Sequence, residues 1–234
     1  METIETYPQL VDHLIKHKIT MCPKHKFETV LRNYDKISKI EGDIVECGVW
    51  RGGFSIFMAH IFEDRNIWVS DSFEGFQPTL TAKYNGYDKE RHVPNYTQTP
   101  HGPIAISLEE VQNHFNTYGL GDDPRIKYLK GFVKDSLPTS GIEKISLLRV
   151  DVDAYSATLE VLDELYDKVS DGGIIIFDDS SLYESLDAIK QFFENRGLPP
   201  FLLNPKTDEP QNIYEKHIDT DSGLDSGCYI IKGS

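Results

Sequence analysis

Two short apolar runs, each ending in paired acids, stand out along the chain. Leu147, Leu148 and Val150 lead into Asp151 and Asp153, and Ile174, Ile175, Ile176 and Phe177 lead into Asp178 and Asp179. Continuous apolar runs of this length suit strands covered on both faces of a parallel sheet. Between them Leu162, Leu165, Tyr166 and Val169 recur at helical spacing, and Gly172-Gly173 is expected to stop that helix. The pattern predicts one strand–helix–strand unit with both acid pairs at the same carboxyl edge. In open α/β sheets that edge binds ligands.

The rest of the chain extends this unit. Residues 7–40 read as two helices covering the sheet, one through Leu10, Leu14 and Ile15, the other through Phe27, Val30, Leu31, Tyr34 and Ile37. Pro23 breaks them, because proline disfavours helix in the residue before it. In Gly42-Asp-Ile-Val-Glu-Cys-Gly-Val-Trp-Arg-Gly-Gly53 a short buried strand runs into a turn at Gly48, Gly52 and Gly53. An apolar helix, 54–62, and a second strand ending in Asp71 follow. This is a nucleotide-binding half-fold. Residues 77–105 show no period, contain Pro78, Pro94, Pro100 and Pro103, and are rich in Tyr84, Tyr87, His92, Asn95, Tyr96 and His101. A loop of this length predicts a lid over a binding site. A helix at 106–120, a third strand at 125–132, and a last helix at 184–196 follow. Phe201–Leu203 and Cys228–Ile231 are expected to close the sheet as a final pair, joined by the polar stretch 204–227.

The acids define the chemistry. Three or four carboxylates at one edge repel one another unless a cation or shared protons offset them. With no Cys or His in either cluster, the donors are hard oxygens, which suits magnesium, manganese or calcium. A dinucleotide site is disfavoured: Gly48 is followed by Val49 and Trp50, so the second fingerprint glycine is missing. No Gly-Lys-Ser/Thr occurs either. Glu46 beside the turn would repel phosphate and suit an ammonium or ribose hydroxyls, and Asp71 ends the strand whose acid commonly takes ribose hydroxyls. A ligand with a ribose, an amino-acid head and no phosphate is S-adenosylmethionine.

Composition narrows the partners. The 234 residues are expected to form one domain, 1–234, and the formal net charge of -14 argues against a nucleic-acid backbone or an anionic membrane surface. Cys22, Cys47 and Cys228 are scattered and odd in number, as in a reduced, cytoplasmic chain. The start, Met1-Glu-Thr-Ile-Glu, lacks the order of a signal peptide, and no apolar run nears the roughly 20 residues of a membrane span.

The motifs Gly42-Asp-Ile-Val-Glu-Cys-Gly-Val-Trp-Arg-Gly-Gly53, Asp71-Ser-Phe-Glu-Gly-Phe76 and Leu148-Arg-Val-Asp-Val-Asp-Ala-Tyr-Ser-Ala-Thr158, with Asp178-Asp179, resemble the macrocin O-methyltransferase family. The resemblance covers roughly residues 20–180. It implies an α/β, Rossmann-like class I methyltransferase with a doubly wound, mostly parallel sheet. It implies S-adenosylmethionine and magnesium as cofactors and a sugar hydroxyl as acceptor. Asp151, Asp178 and Asp179 are then expected to hold the metal. Asp153 is the candidate base, beside Asp151, with His92, His101 and His217 as alternatives. Glu46, Gly48, Arg51, Gly53, Asp71, Ser72, Phe73, Gly131, Phe132 and Asp151 are expected around the cofactor. The acceptor would be a glycoside or glycan sugar, and a homo-oligomer is compatible. Two other readings remain open: a catechol-type O-methyltransferase, and a catalytically silent cofactor-binding module.

Overall fold

The structure, a computed structural model, describes residues 7–76, 97–215 and 226–233. Helices α1 (Tyr7–Lys16), α2 (Lys24–Arg32) and α3 (Tyr34–Ile37) precede strand β1 (Asp43–Cys47). Then come α4 (Gly53–Ile61), β2 (Ile67–Asp71), a small hairpin of β3 (Gln98–Thr99) and β4 (Gly102–Pro103), α5 (Leu108–Thr117) and β5 (Ile126–Lys130). The chain continues through α6 (Val133–Ser136), β6 (Ile145–Val150), α7 (Tyr155–Leu165), β7 (Val169–Phe177) and α8 (Tyr183–Arg196). Strands β8 (Phe201–Leu203), β9 (Pro210–Asn212) and β10 (Cys228–Ile231) follow.

Among the described residues the main sheet runs β5-β2-β1-β6-β7-β10-β8-β9. Its first five strands are parallel, and β10 enters antiparallel between β7 and β8. The order reverses between β1 and β6, which is where a doubly wound sheet opens a crevice. Register levels the strand ends: Cys47 faces Val150, and Val150 faces Phe177. The N–H of Asp151 donates to Cys47 O, and that of Asp178 to Val150 O, each at 2.9 Å. Gly48, Asp151 and Asp178 therefore emerge side by side.

Both faces are covered, as the apolar strands require. One core packs β6 and β7 against α7 and α8 through Leu148, Ile175, Leu162 and Ile189. The other packs Ile44, Leu147 and Ile176 against α4 and the N-terminal cover. Leu14, Phe27, Val30 and Ile37 of the cover are fully buried, each burial worth about 1.5–3 kcal/mol.

Four details differ from the sequence pattern. The cover has three helices, because Asn33 separates α2 from α3. The helix in the acid-bearing unit ends at Leu165, a 3-10 turn spans Tyr166–Lys168, and Gly172-Gly173 lie inside β7. There Gly172 has φ +80°, and a Cβ on Gly173 would fall 2.8 Å from Ser170 O, so the glycines make a bulge in the strand. Strand β9 was not expected; it pairs with β8 within the polar connection. Of the expected lid, 97–105 form the hairpin region, while 77–96, with Tyr84, Tyr87, His92, Asn95 and Tyr96, lie outside the described residues, as does His217. Among the described residues no helix is long and apolar enough to cross a membrane.

Candidate active site

The turn after β1 is set by close approach. Gly48 has φ +84°, and a Cβ there would lie 1.7 Å from Asp151 O, so only glycine lets the turn sit against the end of β6. Asp71 clasps the turn from β2. Its Oδ2 accepts from the N–H groups of Val49 and Trp50 at 2.8 and 3.3 Å, and its Oδ1 from that of Phe73 at 2.8 Å. Burial raises the Asp71 pKa, against the pull of those amides.

A cavity opens between this turn and the acid-bearing strand end. Gly48, Asp71, Ser72, Phe132, Asp151 and Asp153 line it, along with Met21, Trp50 and Ile104. Asp71, Asp151 and Asp153 are its charged residues, and no Lys, Arg or His stands among its described lining. That polarity fits a cationic ligand such as a sulfonium carrying an ammonium group, and disfavours phosphate.

Beneath the cavity lies an ionic network that the sequence pattern did not reveal. Arg149 is 1% exposed, one residue from the carboxyl end of β6. It pairs with Glu46, its cross-strand partner, with Asp178, and with Asp151 at 2.7 Å. Lys26 of α2 also pairs with Asp178, and Cys22 Sγ accepts from Arg149 at 2.9 Å. Burial alone would raise the Asp178 carboxyl; Arg149 and Lys26 together hold it below the usual range. Burial alone would lower the Lys26 pKa; Asp178, together with Cys22 and Asp151, outweighs it and keeps the ammonium charged. The signal was present in the sequence: an arginine inside a strand buried on both faces must find anions.

The remaining acids converge. Carboxylate oxygens of Asp151, Asp153 and Asp179 all lie within 4.8 Å of one another, and Asp151 also groups with Asp178 and Cys22. Burial, then the neighbouring carboxylates, pushes Asp153 up to about 7. Burial and the same crowding raise Asp179, and they raise Asp151 in spite of Arg149. The acids Glu46, Asp151, Asp153, Asp178 and Asp179 outnumber Lys26 and Arg149. An all-oxygen cluster with surplus negative charge fits a hard divalent cation.

Some expected residues stand elsewhere. Glu46 is fully buried, its carboxylate taken by Arg149 and by the Ser55 hydroxyl, so it faces away from the cavity; burial outweighs Arg149 and raises its pKa. Arg51 donates to Lys18 O at 3.0 Å, lies 3.3 Å from Glu110 and stacks over Trp50. The Gly53 N–H donates to Ile19 O at 3.1 Å, and a Cβ there would fall 2.5 Å from that oxygen, so this glycine serves contact with the cover. Phe73 is buried in the core. Gly131, at φ +141°, donates to Asp71 O behind the lining residue Phe132. Asp178 stands behind the converging trio, with both its oxygens already engaged. His101 is exposed at the hairpin turn, where its N–H donates to Thr99 Oγ1 at 3.0 Å.

Comparison with known proteins fits this geometry. Residues 14–204 match the family described as Macrocin-O-methyltransferase (TylF). Mycinamicin III 3''-O-methyltransferase of Micromonospora griseorubida is 36% identical over 202 residues, 84% of this chain and 76% of the relative. Demethyldecarbamoylnovobiocin O-methyltransferase of Streptomyces niveus is 41% identical over 147 residues, 61% of this chain and 54% of the relative, so the match spans about half that relative's length. The solved O-methyltransferase NovP superposes with a TM-score of 0.73 at 30% identity, over 91% of this chain and 81% of its own. The calicheamicin methyltransferase CalS11, at 18% identity and a TM-score of 0.59 over 100% of this chain and 95% of its own, shares the fold. By sequence over most of its length, and by the sheet order and crevice that carry its acids, this chain belongs to the macrocin-O-methyltransferase family, S-adenosylmethionine-dependent enzymes.

Proposed function

We propose that the protein moves a methyl group from S-adenosylmethionine to a hydroxyl of a sugar on a small-molecule glycoside, assisted by a divalent cation. The observation that carries this reading is the convergence of Asp151, Asp153 and Asp179, the first two of which line an acidic cavity. Two relatives, a mycinamicin III 3''-O-methyltransferase and a demethyldecarbamoylnovobiocin O-methyltransferase, support a glycoside acceptor.

When bound, S-adenosylmethionine supplies the methyl group, and a divalent cation supplies positive charge that acidifies a neighbouring hydroxyl. Asp151, Asp178 and Asp179 would hold the cation. Asp178 can accept from Arg149 and Lys26 and still offer lone pairs, because a carboxylate has about four acceptor sites. Gly48, Asp71, Ser72 and Phe132 would border the cofactor, with Asp71 also fixing the turn. Asp153 would take the hydroxyl proton. It stands beside Asp151 and Asp179 and lines the cavity, where an acceptor hydroxyl would lie within reach.

The test is an acceptor panel with labelled S-adenosylmethionine: glycosides with neighbouring free hydroxyls, their neighbouring-deoxy analogues, and catechols. The reading predicts transfer to the diol glycosides and a large loss on the deoxy analogues. Efficient methylation of catechols with none of any glycoside would overturn the sugar assignment.

A further inference from the structure

Asp153 adopts φ +56°, a left-handed conformation uncommon for a residue with a side chain. The N–H of Ala154 donates to Val152 O at 2.5 Å, a bond that skips Asp153 alone. A positive φ inside such a bond is the γ-turn of the rarer, more strained hand. Strain of this kind persists only where its surroundings over-determine it. Two contacts do so here. Asp179 Oδ2 accepts the Asp153 N–H at 2.9 Å, and the Ser185 hydroxyl donates to Asp153 O at 3.2 Å.

Ser185 is the less expected partner. It lies in the first turn of α8, is 2% exposed, and is absent from the cavity lining. The chain from β7 into α8 thus reaches back and holds the peptide of Asp153 from both ends, by Asp179 and Ser185. The β6 strand stops at Val150, so no sheet pairing fixes residue 153. The direction of its carboxylate depends on this turn.

We propose that Ser185 is a positioning residue: its hydrogen bond holds the strained turn that aims the Asp153 carboxylate at the acceptor hydroxyl. This rests on the reading of Asp153 as the base. A relaxed turn would swing the carboxylate off line, and small misplacements of a reacting group cost rate more than binding.

The experiment is steady-state kinetics of Ser185→Ala, Ser185→Thr, Asp153→Asn and the double variant Asp153→Asn with Ser185→Ala, each first checked for a cooperative thermal transition. The expected result is a kcat about five- to tenfold lower for Ser185→Ala, with KM for both substrates unchanged. Ser185→Thr, which keeps the hydroxyl, should recover most of the rate. In the Asp153→Asn background, removing Ser185 should cost nothing further. Unchanged kcat in Ser185→Ala, or an equal loss with and without the Asp153 carboxylate, would overturn the positioning role. Full activity in Asp153→Asn would instead overturn the base assignment, whatever Ser185 does. If Ser185→Ala does not fold, Ser185→Cys, similar in size with a weak donor, carries the same comparison.

Discussion

Arg149 Nη1 lies 2.7 Å from the carboxylate of Asp151, two residues further along the same chain. The guanidinium is also the buried counter-ion of Glu46 and Asp178, so one side chain joins the strand before the glycine turn to both acid-bearing strand ends. Removing it would leave buried carboxylates uncompensated. Arg149→Met is expected to destabilise the fold by about 3–5 kcal/mol. Lys26→Met should cost less, because Asp178 keeps Arg149. Denaturant unfolding of the two variants checks the order; a Lys26 variant less stable than the Arg149 variant would contradict it.

Glycines separate cleanly into those that need space and those that need only backbone freedom. Gly48→Ala would drive a Cβ into Asp151 O, whereas a Cβ on Gly141, at φ +77°, meets nothing within 4 Å. Gly141→Ala is expected to cost about 1 kcal/mol, from the left-handed conformation alone. Gly48→Ala should cost several times that and abolish cofactor binding, as read by calorimetry with S-adenosylhomocysteine. Equal melting temperatures for the two variants would show that the turn is not pressed against β6.

Stability should depend on pH through the crowded acids. Asp153 goes from an ordinary 3.8 to about 7, and Asp151 and Asp179 rise as well, so the metal-free fold binds protons that the unfolded chain releases. The Asp153 contribution is fully present below about 4 and is lost as pH rises through about 7; those of Asp151 and Asp179 are lost in the same direction, as pH rises. Asp178 runs the other way, contributing stability above its ordinary 3.8. With Glu46, Asp71, Asp151, Asp153 and Asp179 raised at the site and Asp178 lowered, the melting temperature of chelated protein should fall between pH 5 and pH 8, each point buffer-matched. Added magnesium should reverse the fall at the upper end. A melting temperature that rises steadily across this window in chelator would contradict the crowded-acid picture.

Much of this site was legible from the chain. The apolar runs before Asp151 and Asp178 located two parallel strands and the edge they share, because buried strands leave a continuous hydrophobic signature. Gly48 was legible because a glycine after a strand marks a turn. Glu46 was expected beside the cofactor; the structure pairs it with Arg149, and sequence cannot tell which pleat of a buried strand faces a neighbouring arginine. Arg51 and Gly53 were expected beside the cofactor for their place in a motif; Arg51 reaches Lys18 O and Glu110, and the Gly53 N–H donates to Ile19 O. Ser185 and Lys26 lie 32 and 152 residues from the acids they touch, so no local pattern could pair them.

The turn at Asp153 makes a separate prediction about backbone strain. Asp153→Gly and Asp153→Ala both remove the carboxylate, but only alanine retains a Cβ in the left-handed conformation. The glycine variant should be more stable than the alanine variant by about 1 kcal/mol, and both should lose activity. Thermal melts of the pair decide it. An alanine variant at least as stable as the glycine one would mean that the turn is relaxed.

The central claim is that the gathered acids hold a divalent cation that the methyl transfer needs. The most direct measurement follows product formation from labelled S-adenosylmethionine and a diol glycoside that the enzyme accepts. It compares protein stripped of metal and kept in excess chelator with the same protein restored by magnesium, beside Asp179→Asn. The account predicts activity only after magnesium is restored, and a rate for Asp179→Asn that needs far more magnesium to reach half its maximum. Full activity in chelator, with metal content measured as absent, would contradict it.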